Sequence, residues 1–185
     1  MSTLQDQPPS LAPPASVLTI DDARWFAVHT RARHEKKVDA HFEEKRLTSF
    51  LPLLQRISRW SDRTALIDTP LFGGYTFVRI SPTAENRVIV LRTSGVLGLV
   101  GNGGMGTPIP DEEIYNLQTV LQRRAPCSAH PFTRAGQRVR IRGGCLDGVE
   151  GILQTENPDQ TLILSIELLQ RSLSIRVSGY DIEPL

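Results

Sequence analysis

From Gln137 onward the apolar residues fall on every second position. Val139 and Ile141 alternate with Arg138, Arg140 and Arg142. Leu162, Leu164, Ile166 and Leu168 share one face, and Leu173, Ile175 and Val177 share another. Period-two alternation between glycine-rich turns means half-buried strands. Four or five such strands in about 50 residues predict a small all-β barrel over 133–185.

The preceding hundred residues have a different texture. Arg24–Thr30 reads as a short buried strand, and residues 33–47, free of Gly and Pro, read as a helix with Val38 and Phe42 on one face. TSFLPLL, QRISRWS, DRTALIDTP and YTFVRI read as strands, with a break at Pro52 and a turn at Ser61-Asp62. Residues 84–92 fit strand or helix. VLGLV is a strand, and Pro110-Asp111-Glu112-Glu113 opens a last helix to about Arg123. This interleaving predicts an α/β sandwich with a mostly antiparallel sheet over 23–123, and an α+β chain as a whole. Pro126 and Pro131 make 124–132 the expected linker. Residues 1–22, with four prolines among Ser, Ala and Gln, read as a disordered leader.

The net charge of +1 hides a patchwork. Residues 24–63 carry ten Lys/Arg against five Asp/Glu, and residues 123–142 carry six arginines and no acid. Local positive charge of this kind suits a polyanion. The two cysteines form no C-x-x-C pair, as expected of a protein of the reducing cytosol. No apolar run approaches the ~20 residues of a membrane span, and a cytoplasmic protein is expected.

Catalytic and cofactor spellings fail on context. GNGGMG at 101–106 matches G-x-G-x-x-G, but Thr107-Pro108-Ile109-Pro110 follows instead of a helix. No Asp or Glu lies between Ile114 and Leu146 to hold a ribose. The expectation is a mobile loop of glycines at positive φ. His34-Glu35 begins like H-E-x-x-H, but Val38 stands where the second ligand belongs. No cofactor, metal or enzymatic activity is expected.

Two stretches ask for more than packing: TPLFGGYTFVRI at 69–80, where Phe72 heads a Gly-Gly turn and is read as an exposed partner anchor, with a Phe72 that caps the core as the alternative, and GQRVRIRGGCLDGVEGIL at 136–153. Together they resemble the NusG family of transcription elongation factors. Arg24-Trp25-Phe26-Ala27-Val28 looks like its opening strand, and Pro70-Leu71-Phe72-Gly73-Gly74-Tyr75 like its P-L-F-P-G-Y signature. Ser94-Gly95-Val96 and Pro108–Ile114 match later blocks, and residues 136–151 are similar to the KOW motif. Arg59–Arg63 and Ser165–Ser172 look most like the specialised UpxY-type antiterminators, relatives of RfaH.

The resemblance implies a non-catalytic, monomeric elongation or antitermination factor. An NGN domain would dock on the β′ clamp helices of RNA polymerase. A KOW domain would recruit a second partner, the ribosomal small subunit or the Rho terminator. It implies polymerase contact by Trp25, His29, Phe72 and Tyr75, and contact with the β gate loop by Asn86 and Arg87. Arg31, Lys37 and His41 match positions that meet the non-template DNA strand, and Leu146 is the implied apolar anchor of the KOW domain. Two departures stand out: Gly73 replaces the family proline, and Cys145-Leu146 replace Pro-Phe. The alternative is a KOW-containing RNA- or ribosome-binding protein that uses the 123–142 arginines without docking on polymerase. Refolding of residues 161–178 into a helix is not expected, given their alternation.

Overall fold

The computed structural model describes residues 22–59, 64–134, 136–155, 160–177 and 179–185. The leader and the turn at Ser61-Asp62 lie outside them, apart from Asp22. In chain order come β1 (Arg24–Thr30), α1 (Glu35–Glu44), β2 (Thr48–Phe50), β3 (Leu53–Arg59), β4 (Thr64–Pro70), β5 (Tyr75–Ile80), α2 (Ala84–Leu91), β6 (Val96–Leu99), β7 (Pro108–Ile109) and α3 (Asp111–Gln122). Then follow β8 (Cys127–Pro131), β9 (Gln137–Arg142), β10 (Glu150–Thr155), β11 (Gln160–Ile166), β12 (Arg171–Arg176) and β13 (Asp181–Pro184).

The first sheet runs β2-β5-β1-β6, with β7 also paired to β1, and its pairings are antiparallel. Its centre is β1, buried on both faces. Phe26 and Val28 face a layer made by Val38 and Phe42 of α1 and Val90 of α2. Trp25 and Ala27 face Ile114, Leu117 and Val120 of α3. Strands β3 and β4 pair with each other as a separate arm, and Ile57 and Leu66 on it are exposed.

Three local expectations are refined. Helix α1 is shorter than 33–47, because Arg33 and Arg46 adopt positive φ at either end and stop it. The ambiguous 84–92 segment is helical, since the Thr83 hydroxyl accepts the Asn86 N–H at 3.2 Å and caps the first turn. Residues 127–131, expected in a linker, form β8 and pair with β12.

The second sheet is antiparallel in the order β13-β9-β10-β11-β12-β8. The alternating residues Val139, Ile141, Leu162, Leu164, Ile166, Leu173, Ile175 and Val177 are buried on one side, and residues 161–166 and 171–176 are strand. Leu168 leaves that register, because the chain enters a short turn after Ile166. Ile163 points to the opposite side and is still only 1% exposed. The reason is α3, which packs against β11 and joins the two units.

The GNGGMG stretch forms a tight turn. Gly101, Gly103, Gly104 and Gly106 all have positive φ, and no helix opens from the turn. At Gly101 a Cβ would lie 2.3 Å from the Thr107 backbone nitrogen.

Candidate functional site

The Phe72–Tyr75 turn is closed by a hydrogen bond from Tyr75 N–H to the Phe72 carbonyl at 3.1 Å. Gly74 stands at its third position with φ +82. This is the pattern of a type II turn, which needs glycine there and favours proline one residue earlier. Gly74 is held twice more: its carbonyl accepts Thr30 N–H at 2.8 Å, and its N–H donates to Glu35 Oε1 at 2.7 Å.

Phe72 is 3% exposed, which overturns the exposed-anchor reading and matches the core-capping alternative. It meets Phe77 edge-on with ring centroids 6.3 Å apart, an arrangement favoured by the aromatic quadrupole. The accessible aromatic surface belongs instead to its neighbours. His29 and Tyr75 sit opposite each other on β1 and β5 and stack at 5.2 Å. Trp25 lies on the same side of β1 but is buried in the core under α3. So His29, Phe72 and Tyr75 come together, and Trp25 belongs to the same core farther along β1.

Asn86 and Arg87 are not brought to this turn. They sit on α2, against the opposite face of the sheet. The Asn86 amide donates to the Ser81 carbonyl at 3.2 Å, and Arg87 points its guanidinium at Met105 Sδ, 3.6 Å away.

The basic candidates line the start of α1. Arg31 and Lys37 are exposed. His41, one helical turn beyond Lys37, is half-buried, and its Nδ1 is buried without a hydrogen-bond partner among the described residues. Among those residues Arg31, Arg33, Lys36 and Lys37 form no ion pair, so their charge is available to an external anion.

The second basic stretch behaves differently. Four of the six arginines in 123–142 are paired with acids. Arg134 meets Glu167, Arg140 meets Glu150, Arg138 lies 3.7 Å from Glu150, and Arg142 lies 2.5 Å from Glu183. A run that reads as strongly positive in sequence is thus partly offset in space, with three carboxylates set against its six arginines. Leu146, expected as a partner anchor, is 1% exposed. Its turn folds it inward, with Gly148 N–H bonded to the Ile141 carbonyl at 2.9 Å.

Between the units, α3 and strands β10 and β11 line a cleft of about 500 Å³. Asn116 bonds both backbone groups of Glu150 across it. A hydrogen bond with Glu150 pushes the Glu112 carboxyl above its usual range. The same bond, aided by Arg140 and Arg138, holds Glu150 below that range. Glu113 is raised by burial, although its carboxylate accepts the Glu167 N–H. The described residues contain no His/Cys/Asp/Glu group suited to a metal ion, and no helix among them is long and apolar enough to cross a membrane.

The pattern of this chain matches a known one. Residues 23–118, more than half of the chain, fit the family described as NusG, transcription termination factor nusG. The chain belongs to the NusG family. Proteins of this family are transcription termination/antitermination factors that work with RNA polymerase and are not enzymes. The transcription termination/antitermination protein NusG of Staphylococcus carnosus is 27% identical over 177 residues, covering 88% of this chain and 96% of that one. Its counterpart in Staphylococcus aureus is 28% identical over 178 residues, with the same coverage. A solved structure on domain interaction in Thermotoga maritima NusG has a TM-score of 0.54 at 20% identity, over 88% of this chain and 97% of that one. That likeness is one of fold.

Within this NusG-family chain, sequence reading missed Glu35, Asn116 and Glu150. Glu35 looked like a dipole-matching acid in the first turn of a helix, yet it is 6% exposed. The available signal was its helical position, three residues before Val38 and on the same inward face. Asn116 carried a similar signal. It is a polar residue between Ile114 and Leu117 on the buried side of α3, and such a residue needs a partner.

Proposed function

We propose that this NusG-family chain is a specialised elongation and antitermination factor of the UpxY and RfaH kind. Its first unit, 23–123, is read as an NGN domain that docks on the β′ clamp helices. Its second, ending at 185 and including β8, is read as a KOW domain that recruits a further partner, the ribosomal small subunit or Rho. The docking face is the Phe72–Tyr75 turn. Tyr75 and His29 form its accessible surface, while Phe72 and Trp25 form its floor. The exposed cations Arg31 and Lys37, with His41, would follow the non-template DNA strand. Asn86 and Arg87, on the other side of the sheet, would meet the β gate loop.

One observation carries this reading. The Gly74 N–H of the turn bonds Glu35 at the start of α1, so the stacked His29–Tyr75 pair and cations that form no ion pair among the described residues lie along one edge of the unit. A factor that binds the closed, elongating polymerase better than the paused one shifts the population toward elongation. The RNA-binding alternative is weakened, because four of the arginines it would use are paired with Glu150, Glu167 and Glu183.

The test is binding of the full chain to purified RNA polymerase elongation complexes, beside Tyr75→Ala and Phe72→Leu. Loss of affinity by tenfold or more in Tyr75→Ala is expected, as for an aromatic hot spot of about 2 kcal/mol. Equal affinity of all three proteins would reject the docking face.

A further inference from the structure

Glu35 is a buried acid on the inward face of α1. It opens α1, yet its carboxylate turns inward and accepts the Gly74 N–H at 2.7 Å. Both central residues of that turn, Gly73 and Gly74, lack a Cβ. Glycine loses more conformational freedom on ordering than any other residue, so a Gly-Gly turn is intrinsically loose. Gly73 also stands at the one position where proline would preset the turn. The Glu35 oxygen holds the residue that most needs fixing, the one at φ +82.

We infer that Glu35 is a positioning residue for docking: it holds the Gly73-Gly74 turn in place of a rigid ring and so sets where Phe72 and Tyr75 lie. The inference rests on the docking reading above. The geometry has a second consequence. Glu35 directly precedes Lys36 and Lys37, and the Arg31 carbonyl accepts the His34 N–H at 3.0 Å. The hydrogen bond that holds the turn is therefore anchored on the segment that carries the basic edge.

The experiment measures affinity of the full chain for elongation complexes. Glu35→Ala should bind about tenfold more weakly, the scale of losing a hydrogen bond to a charged group. Glu35→Gln, which keeps an oxygen at the same reach, should restore most of the affinity. Gly73→Pro added to Glu35→Ala should also recover most of it, since proline presets the turn independently of α1. A role in overall stability alone is separated by urea denaturation, since it would make the affinity loss of Glu35→Ala no larger than its loss of unfolding free energy accounts for. If Glu35→Ala does not fold, Glu35→Asp replaces it, because its carboxylate is one methylene short of Gly74. Full affinity in Glu35→Ala, with Tyr75→Ala impaired, would overturn the inference and leave the docking reading standing. A loss that Gly73→Pro does not recover would overturn it equally. Full affinity in Tyr75→Ala and Phe72→Leu would remove the docking reading and this inference with it.

Discussion

Asn116 and Glu150 are joined across the two units by a pair of hydrogen bonds. The Asn116 amide donates to the Glu150 carbonyl at 3.1 Å, and its oxygen accepts the Glu150 N–H at 3.3 Å. Glu150 begins β10 and pairs with Arg140 of β9, whereas the pairing of β10 with β11 starts only at Ile152. The outward backbone groups of Glu150 therefore have no strand beside them. The primary amide of Asn116 stands in for the missing peptide. Asn116→Ala should leave both groups unpaired in a closed interface, at a cost of about 1–3 kcal/mol. The expected outcome is separate tumbling of the two units by NMR relaxation, with each unit still folded.

The same interface should respond to pH. Glu112 and Glu113 on α3 face Glu150, Arg138 and Arg140 from β9 and β10, and Glu167 with Arg134 beyond them. Glu112 and Glu113 are raised relative to the separated units, so their contribution to closure is complete below the ordinary carboxylate range. It is lost as pH rises through their raised values. Glu150 is lowered, so its contribution is present above that range and is lost as pH falls through its own value. Closure should be strongest between the lowered value of Glu150 and the raised values of Glu112 and Glu113, and should weaken as pH rises through the latter. Glu112→Gln donates to Glu150 at every pH and should flatten the upper limb of that curve in the same relaxation measurement.

Periodicity made most of the architecture legible. The alternation of Leu162, Leu164 and Ile166 gave a strand, and the spacing of Ile114, Leu117 and Val120 gave a helix. What was not legible depended on long-range partners. The arginines of β9 looked like a free polyanion site because Glu150 and Glu183 are distant in sequence. The burial of Ile163 follows from α3 covering β11, which nothing local in the sequence announces. At the site, the turn was readable from Gly73-Gly74, but the burial of Phe72 was not. A large aromatic beside two glycines has the same spelling whether it faces water or Phe77.

The basic edge makes its own prediction about salt. Removing a cation that neutralises one phosphate should lower the slope of log affinity against log salt by about 0.7 for single-stranded DNA. Lys37→Ala and Arg31→Ala, measured on elongation complexes with an exposed non-template strand, should each reduce that slope. A charge-neutral change on the solvated side of α3, Tyr115→Ser, should leave it unchanged.

The Gly101 turn should prove structural. Adding a Cβ at Gly101 drives it against the Thr107 backbone, 2.3 Å away at φ +133, whereas at Gly103 nothing lies within 4 Å. Gly101→Ala should therefore lower Tm by several degrees more than Gly103→Ala, which carries only the strain of its positive φ, about 1 kcal/mol. Calorimetry of the two variants is the check, and added nucleotide should shift neither Tm.

Phe72 links stability to docking, and the two must be separated by choice of variant. The ring is buried, edge-on to Phe77, among Leu54 and Leu71. Phe72→Ala should destabilise the first unit by about 3–5 kcal/mol through the cavity it leaves, a loss visible in urea denaturation without any polymerase present. Phe72→Leu keeps most of the apolar volume and should lose much less. If the floor of the docking face matters only by supporting Tyr75, Phe72→Leu should bind elongation complexes nearly as well as the parent chain while Tyr75→Ala does not. If Phe72 itself enters the partner, Phe72→Leu should lose affinity out of proportion to its small loss of stability. Plotting affinity against unfolding free energy for the three variants separates the two outcomes, because a purely supporting residue must fall on the line set by stability.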